Sequence, residues 1–83
     1  MNVQYREKAL AQLLKLSLTE RKRILDKIDF FAEQEQPLDF AKRLTGHESY
    51  RFRIGNYRAI FDIEEGEIVV LLVVKREGAY RNL

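Results

Sequence analysis

The sequence predicts an α+β fold in which an N-terminal helix hairpin packs on a small antiparallel β-sheet, with the element order βααβββ. Apolar residues recur every three or four positions up to residue 32, as on one face of a helix, and every second position from Tyr50, as on one face of a strand. The pairs Gly55-Asn56 and Glu65-Gly66 interrupt the second pattern and are typical of tight hairpin turns. Each half of the 83-residue chain would bury too little apolar surface to fold alone, so residues 1–83 are expected to form one domain.

The first part of the chain predicts two helices joined by a very short connection. A short strand is expected at "VQYR", and "EKALAQLLKL" then carries a helical stripe of Ala9, Leu10, Leu13, Leu14 and Leu16. Ser17 and Glu20 in "SLTE" have the spacing of a capping box, which marks the start of the second helix. The apolar positions of that helix are Ile24, Leu25, Ile28, Phe31 and Ala32. Pro37 disfavours helix at the residue before it, so the second helix should end within "EQEQP".

Three strands are predicted after a connecting segment. Residues 37–48 form the connection, and its apolar side chains, Leu38, Phe40 and Leu44, are expected to pack against the core. The strands are expected at about 49–54, 57–63 and 67–74. The last of them, "IVVLLVV", is apolar on both faces, which predicts an interior position in the sheet.

Three arginines are predicted to share the face of the sheet opposite the helices. A two-residue turn at Gly55-Asn56 pairs Arg53 with Arg58 and places Arg51 on the same face. Two arginines directly opposite each other have Cβ atoms roughly 5 Å apart and repel, so a bound anion would compensate for the cost. The alternative is that these flexible side chains simply extend into water.

The end of the chain adds to this basic group. If Tyr57 pairs with Val74 across the last hairpin, Arg76 emerges beside the Gly55-Asn56 turn, and Tyr80 follows shortly after it. Cations that hold phosphate beside a ring that stacks on a base are typical of single-stranded RNA recognition. The alternative for Tyr80 is that its ring packs on the sheet edge.

The composition excludes several other kinds of site. There are no cysteines, so a disulfide scaffold, a thiolate zinc site and a cysteine nucleophile are excluded. His47 is the single histidine, which argues against most catalytic triads and metal centres. The net charge of +2 does not by itself indicate nucleic-acid binding. No apolar run suits a signal peptide or a membrane span, so a cytoplasmic location without membrane contact is expected.

The motifs "YRFRIGNYRAIFDI" and "VKREGAYR", after a helix hairpin, resemble the RelE/ParE superfamily of bacterial and archaeal toxins over nearly the whole chain. The resemblance implies an antiparallel sheet packed against two helices. RelE-like members cleave messenger RNA in the ribosomal A site, whereas ParE-like members poison DNA gyrase. The basic positions of RelE-like toxins around the hairpin turn are matched by Arg51, Arg53 and Arg58. Those toxins also have an arginine after the last strand, matched by Arg76, and a tyrosine that closes the set, matched by Tyr80.

The resemblance therefore implies a metal-independent, cofactor-free endoribonuclease that uses the substrate's own 2′-hydroxyl as nucleophile. The implied catalytic residues are Arg53, Arg58, Arg76 and Tyr80. The implied RNA-binding residues are Arg51, Lys75 and Arg81. Because arginine stays protonated at physiological pH, the general base would be Tyr80, His47 or a ribosomal RNA group.

The resemblance also implies partners. They are a cognate RelB-like antitoxin, the ribosome with its messenger RNA, and operator DNA that the toxin–antitoxin complex contacts through the antitoxin. Two alternatives remain open at this stage: a ParE-like inhibitor of gyrase without chemistry of its own, and a degenerate member that keeps the fold but no activity.

Overall fold

The structure, a computed structural model, describes residues 1–76. The elements in chain order are β1 (Val3–Tyr5), α1 (Glu7–Leu14), α2 (Leu18–Glu33), a short 3₁₀ helix (Pro37–Phe40), β2 (Ala41–Arg43), β3 (Tyr50–Ile54), β4 (Tyr57–Glu64) and β5 (Glu67–Lys75). The predicted α+β class, helix hairpin and three long strands are confirmed. The predicted connection at 37–48 instead contains the 3₁₀ helix and an additional strand, β2.

The sheet has five strands in the order β1-β5-β4-β3-β2. It is mixed and not purely antiparallel as expected, because β1 runs parallel to β5. The backbone N–H of Ile68 donates to Asn2 and that of Arg6 donates to Val70, both at 2.9 Å, and these bonds fix the direction of β1. Strand β5 lies between β1 and β4, which confirms the interior position predicted from its apolar sequence.

The helix hairpin is held by its short connection. The Ser17 hydroxyl accepts a hydrogen bond from the Glu20 backbone N–H at 3.2 Å, which confirms the predicted N-terminal cap of α2. The Arg21 guanidinium donates back to the Leu13 carbonyl at 3.0 Å and to two further carbonyls near the end of α1. These bonds satisfy carbonyl groups that a helix C-terminus otherwise leaves without partners.

The core lies between the hairpin and one face of the sheet. It contains Ala9, Leu13, Ile24, Ile28, Phe31, Ala32, Phe52, Ile54, Tyr57, Ala59, Phe61, Ile68, Val70 and Val73. The predicted apolar stripe of α2 is confirmed. That of α1 is narrower than expected, because Leu10 and Leu14 are exposed. No helix in the described part of the chain is long and apolar enough to cross a membrane.

The apolar residues of the segment before β3 do not all enter the core. Leu44 is buried, as predicted, whereas Leu38 and Phe40 are exposed. Phe40 nevertheless packs against the core as predicted, since its ring stacks on Phe31 with ring centroids 5.2 Å apart, but it lies at the edge of the core. An aromatic side chain is thereby fixed on one side and left accessible on the other.

Candidate functional site

Four cations lie on the neighbouring strands β2, β3 and β4, on the face of the sheet opposite the helices. Arg53 pairs with Arg58 across the β3–β4 hairpin, and Arg51 pairs with Ile60, as the sequence predicts. Strand β2 adds Lys42 directly opposite Arg51. Because side chains alternate between faces along a strand, all four belong to the face that the core does not use. We call Lys42, Arg51, Arg53 and Arg58 the basic face.

The hairpin turn sets the register of this face. Gly55 has φ +58°, a backbone conformation that favours glycine, and Asn56 completes the two-residue turn. A Cβ atom on Gly55 would lie 2.8 Å from Nη2 of Arg23, so the guanidinium end of this α2 side chain reaches the turn. Tyr57, the first residue after the turn, faces α2. The pKa of Tyr57 is raised mainly by a hydrogen bond from its hydroxyl to the Glu20 carboxylate and to a lesser extent by burial.

The basic face is graded from exposed to buried. Arg53 and Lys42 are exposed and Arg51 is half-buried. Arg58 is only 2% exposed, with its Nε and Nη1 shielded from water, so the alternative in which all three arginines extend into water does not hold for Arg58. Its strand neighbour on that face, Ile60, is also only 2% exposed, so this part of the outer face is not solvated. A cation in such surroundings is less screened and acts more strongly on nearby charges.

Arg76 lies at the turn, as the sequence predicts. Its backbone N–H donates to the Asn56 carbonyl at 2.7 Å. The predicted pairing of Tyr57 with Val74 is wrong, because a register shift between Ile60 and Phe61 leaves Tyr57 opposite Lys75. Such a bulge inserts one residue and changes which side chains share a face.

The shift separates Lys75 from the predicted RNA-binding group. By strand alternation, Arg58 and its partner Val74 lie on the basic face, whereas Lys75, opposite Tyr57, lies on the helix-facing side. Continued alternation places Arg76 on the side of Arg58. The other predicted residues, Tyr80 and Arg81, lie outside the described residues.

His47 is not brought to the basic face. It lies in the loop before β3 and lines a surface cavity with Ser49 and Asp62. This loop adjoins the Tyr50–Phe61 pair, which is three residue steps from the Arg53–Arg58 pair. At about 3.3 Å per residue, the separation along the strands is roughly 10 Å. His47 is therefore not positioned to act as a general base at these arginines.

Lys42 and Phe40 are functional candidates that the sequence does not reveal. Together with Arg51 and Arg53 they line a small cavity of about 150 Å³ at the β2 edge of the basic face. Strand β2 has only three residues, too few to show a period of two. The alternation of Lys42 with the sheet becomes visible only through its pairing with β3.

The exposed cations of the basic face have no acidic partner in the part of the chain that the structure describes. Among residues 1–76, neither Lys42 nor Arg53 takes part in a salt bridge. Within the same residues no group of three or more His, Asp or Glu side chains could hold a metal ion. The described arrangement suits recognition of a phosphate by several cations.

A family model described as the ParE toxin of the type II toxin–antitoxin system parDE matches residues 3–80. The chain belongs to this toxin family. No curated protein is a significant sequence match to it.

Solved structures of the RelE/ParE superfamily share the fold of this toxin. The RelBE2 toxin–antitoxin complex from Mycobacterium tuberculosis matches with a TM-score of 0.75 and 24% identity, over 90% of this chain and 96% of that one. The isolated E. coli RelE toxin matches with a TM-score of 0.72 and 21% identity, over 99% and 98%. The chromosomal ParDE system from P. aeruginosa matches with a TM-score of 0.71 and 17% identity, over 90% and 95%. The superfamily predicted from the sequence motifs is thus confirmed.

Proposed function

We propose that this toxin is an endoribonuclease that cleaves messenger RNA on the ribosome and so inhibits translation in the cytoplasm. The observation that carries the proposal is the basic face, with Arg53 exposed beside the shielded Arg58 and with Arg76 bonded to the turn between them. Arginine side chains form strong, charge-assisted hydrogen bonds with phosphate oxygens, and several of them close together suit one phosphate group.

The proposed reaction is an attack of the 2′-oxygen of a nucleotide on its own 3′-phosphate. The bond from the 2′-oxygen to phosphorus forms and the bond from phosphorus to the 5′-oxygen of the next nucleotide breaks. The products are a 2′,3′-cyclic phosphate and a 5′-hydroxyl. The 2′-hydroxyl proton passes to a base, and the departing 5′-oxygen takes up a proton.

Each arginine has a separate part in this proposal. Arg53, which is accessible, contacts the non-bridging phosphate oxygens. Arg58 stabilises the additional negative charge of the pentavalent transition state from its shielded position, without direct access from solvent. Arg76 neutralises the departing 5′-oxygen, Arg51 and Arg81 hold the flanking RNA backbone, and Tyr80 stacks on a base. The general base that accepts the 2′-hydroxyl proton is Tyr80 or a ribosomal group, since His47 lies at the other end of the hairpin.

The proposed partners follow from the family. Several similar structures are complexes of RelE toxins with RelB antitoxins, including one from Pyrococcus horikoshii. We propose a RelB-like antitoxin that neutralises this toxin, in a complex that contacts operator DNA through the antitoxin.

The test is induction of the toxin in cells, with mapping of the 5′ ends of messages by primer extension. Wild type is expected to arrest growth and to produce cuts in phase with codons. Arg53→Ala and Arg76→Ala should remain folded, because both side chains are exposed, and should lower the cleavage rate on programmed ribosomes by about a hundredfold or more. Lys8→Ala, an exposed change on α1, is the control and should cleave like wild type.

Inhibition of DNA gyrase is the second candidate, since the matching family model is that of a ParE toxin. It predicts intact messages together with DNA breaks that require gyrase. That result, or full toxicity of both arginine variants, would contradict the nuclease proposal.

A further inference from the structure

We propose that the cavity lined by Phe40, Lys42, Arg51 and Arg53 is a second RNA subsite, which adjoins the cleaved phosphate at Arg53 and binds the neighbouring nucleotide. Phe40 would stack on the base, and Lys42 with Arg51 would hold its phosphate. The inference rests on the proposed ribonuclease function, and it extends the RNA path from the Arg53–Arg58 pair towards the β2 edge of the sheet.

The charges in the cavity lie in two directions from Arg51, one across the sheet and one along β3. Lys42 lies opposite Arg51, and Arg53 follows Arg51 by two residues on the same face of β3. Residues two apart on a strand are separated by about 6.6 Å, a distance that an extended single strand can span between neighbouring phosphates. A chain held at Arg53 by one phosphate therefore brings its neighbouring phosphate to Arg51 and Lys42.

Phe40 provides a stacking surface that is already positioned. One side of its ring stacks on the buried Phe31, with an interplanar angle of 22°, and the Phe30 ring lies edge-on to it at 6.4 Å. Nevertheless, 45% of Phe40 remains exposed. Stacking of a base on such a ring requires little ordering of the side chain, since its neighbours already fix it. It contributes about 1–3 kcal/mol per base.

The cavity is of suitable size for one ring. Its volume is about 150 Å³, and a cavity of about 150 Å³ in another protein accommodates benzene. A pyrimidine ring fits such a space, and its sugar can point outward because the cavity opens to the surface.

A nucleotide explains the cavity better than a protein segment does. The Lys42–Arg51 pair is a second pair of like charges across neighbouring strands, in addition to Arg53–Arg58, and each such pair disfavours the fold. Among residues 1–76 Lys42 takes part in no salt bridge, and the exposed Phe40 ring offers a flat apolar surface beside it. A nucleotide brings negative charge and a flat ring in one unit, whereas an apolar peptide brings no charge to Lys42.

The experiment measures binding of a fluorescein-labelled hexaribonucleotide whose 2′-hydroxyls are methylated, so that it cannot be cleaved. Anisotropy titrations at several salt concentrations compare wild type, Phe40→Ala, Lys42→Gln and the control Lys8→Gln on α1. Both cavity variants are expected to weaken binding at least about fivefold. Lys42→Gln should also reduce the salt dependence, by about 0.7 in the slope of log K against log salt, whereas Phe40→Ala should leave that slope unchanged. Lys8→Gln should change neither quantity.

Three other outcomes overturn the subsite in distinguishable ways. If wild type cleaves messages and Lys42→Gln and Phe40→Ala bind the oligonucleotide as wild type does, the subsite is wrong and the proposed function stands. If wild type neither binds nor cleaves RNA, both proposals fail. If the two variants keep RNA binding but escape neutralisation by the antitoxin, the cavity is a protein-docking site. Lys42 is exposed on a short strand, so its variant remains informative even if Phe40→Ala proves unstable.

Discussion

Tyr5, at the end of β1, packs against the core and has a buried hydroxyl. Its oxygen has no hydrogen-bond partner among residues 1–76. Burial and the nearby Asp29 carboxylate raise the pKa of Tyr5 from 10.0 to about 12. An unfolded chain therefore loses this proton at lower pH than the folded toxin does. The stabilisation linked to Tyr5 is complete below pH 10 and is lost as the pH rises towards about 12.

Tyr5→Phe is expected to keep or raise the free energy of unfolding at neutral pH, by up to about 1 kcal/mol, because a buried hydroxyl without a partner is costly. It should also reduce the loss of stability between pH 10 and about 12. Part of the alkaline loss will remain, since the pKa of Tyr57 is raised as well. Urea denaturation across this pH range measures both effects.

The matched control is Tyr50→Phe, whose ring is half-exposed and stacks on Phe61. It should leave the pH dependence close to that of wild type. A Tyr5→Phe variant that loses stability with pH as steeply as wild type would contradict the assignment of the alkaline transition to Tyr5.

The β3–β4 hairpin is the element that aligns the basic face, and its turn depends on Gly55. Among the described residues, positive φ occurs at Gly55 but not at Asn56, which is the pattern of a type II′ turn. In the β4–β5 turn, Glu65 and Gly66 both have positive φ, the pattern of type I′. The first central position of type II′ is the more restrictive for a residue with a Cβ atom.

Gly55→Ala is accordingly expected to lower the free energy of unfolding by about 1–3 kcal/mol. The control Gly66→Ala should cost about 1 kcal/mol, because L-residues tolerate the left-handed region better and no atom lies within 4 Å of the new Cβ. Thermal or urea unfolding compares the two. Equal costs would show that the turn at Gly55 is no more demanding than that at Gly66.

If Gly55→Ala folds, its cleavage activity should fall further than that of Gly66→Ala, since the substitution at the turn shifts Arg53 relative to Arg58.

Long elements with a clear period were predictable, and short or irregular ones were not. Strands β3, β4 and β5 each show alternation or a continuous apolar run, and Gly55-Asn56 set the Arg53–Arg58 register correctly. The bulge between Ile60 and Phe61 has no sequence signal, because both residues are apolar on an apolar strand. It moved Lys75 to the helix-facing side. Strand β2 is too short to show a pattern, so Lys42 and the exposed Phe40 were missed.

For the whole molecule, the distribution of charge matters more than its sum. The formal net charge is only +2, yet four cations lie on three neighbouring strands of one sheet face. The described salt bridges, Arg6–Glu64 and Lys22–Asp26, are exposed pairs that involve other residues. Exposed pairs of this kind contribute little to stability. The repulsion between cations on the basic face therefore affects the free energy of unfolding independently of these salt bridges, and added salt should weaken the repulsion.

Arg53→Thr is expected to raise the free energy of unfolding at low salt by about 0.2–1 kcal/mol, because it removes one member of a like-charged cross-strand pair. The gain should fall towards zero near 1 M salt, where the screening length is about 3 Å. Arg43→Thr is the matched control. It removes an exposed arginine from the adjacent strand but on the other face, where the guanidinium lies 5.7 Å from the Tyr50 ring centroid. Threonine has the same strand preference in both variants, so the difference in their salt dependence isolates the charge effect.

If Arg53→Thr is no more stable than Arg43→Thr at low salt, the arginines do not repel each other, and their pairing gives no support to a bound phosphate. A gain in stability together with a loss of cleavage would show instead that the toxin retains this arginine for its substrate and not for its fold.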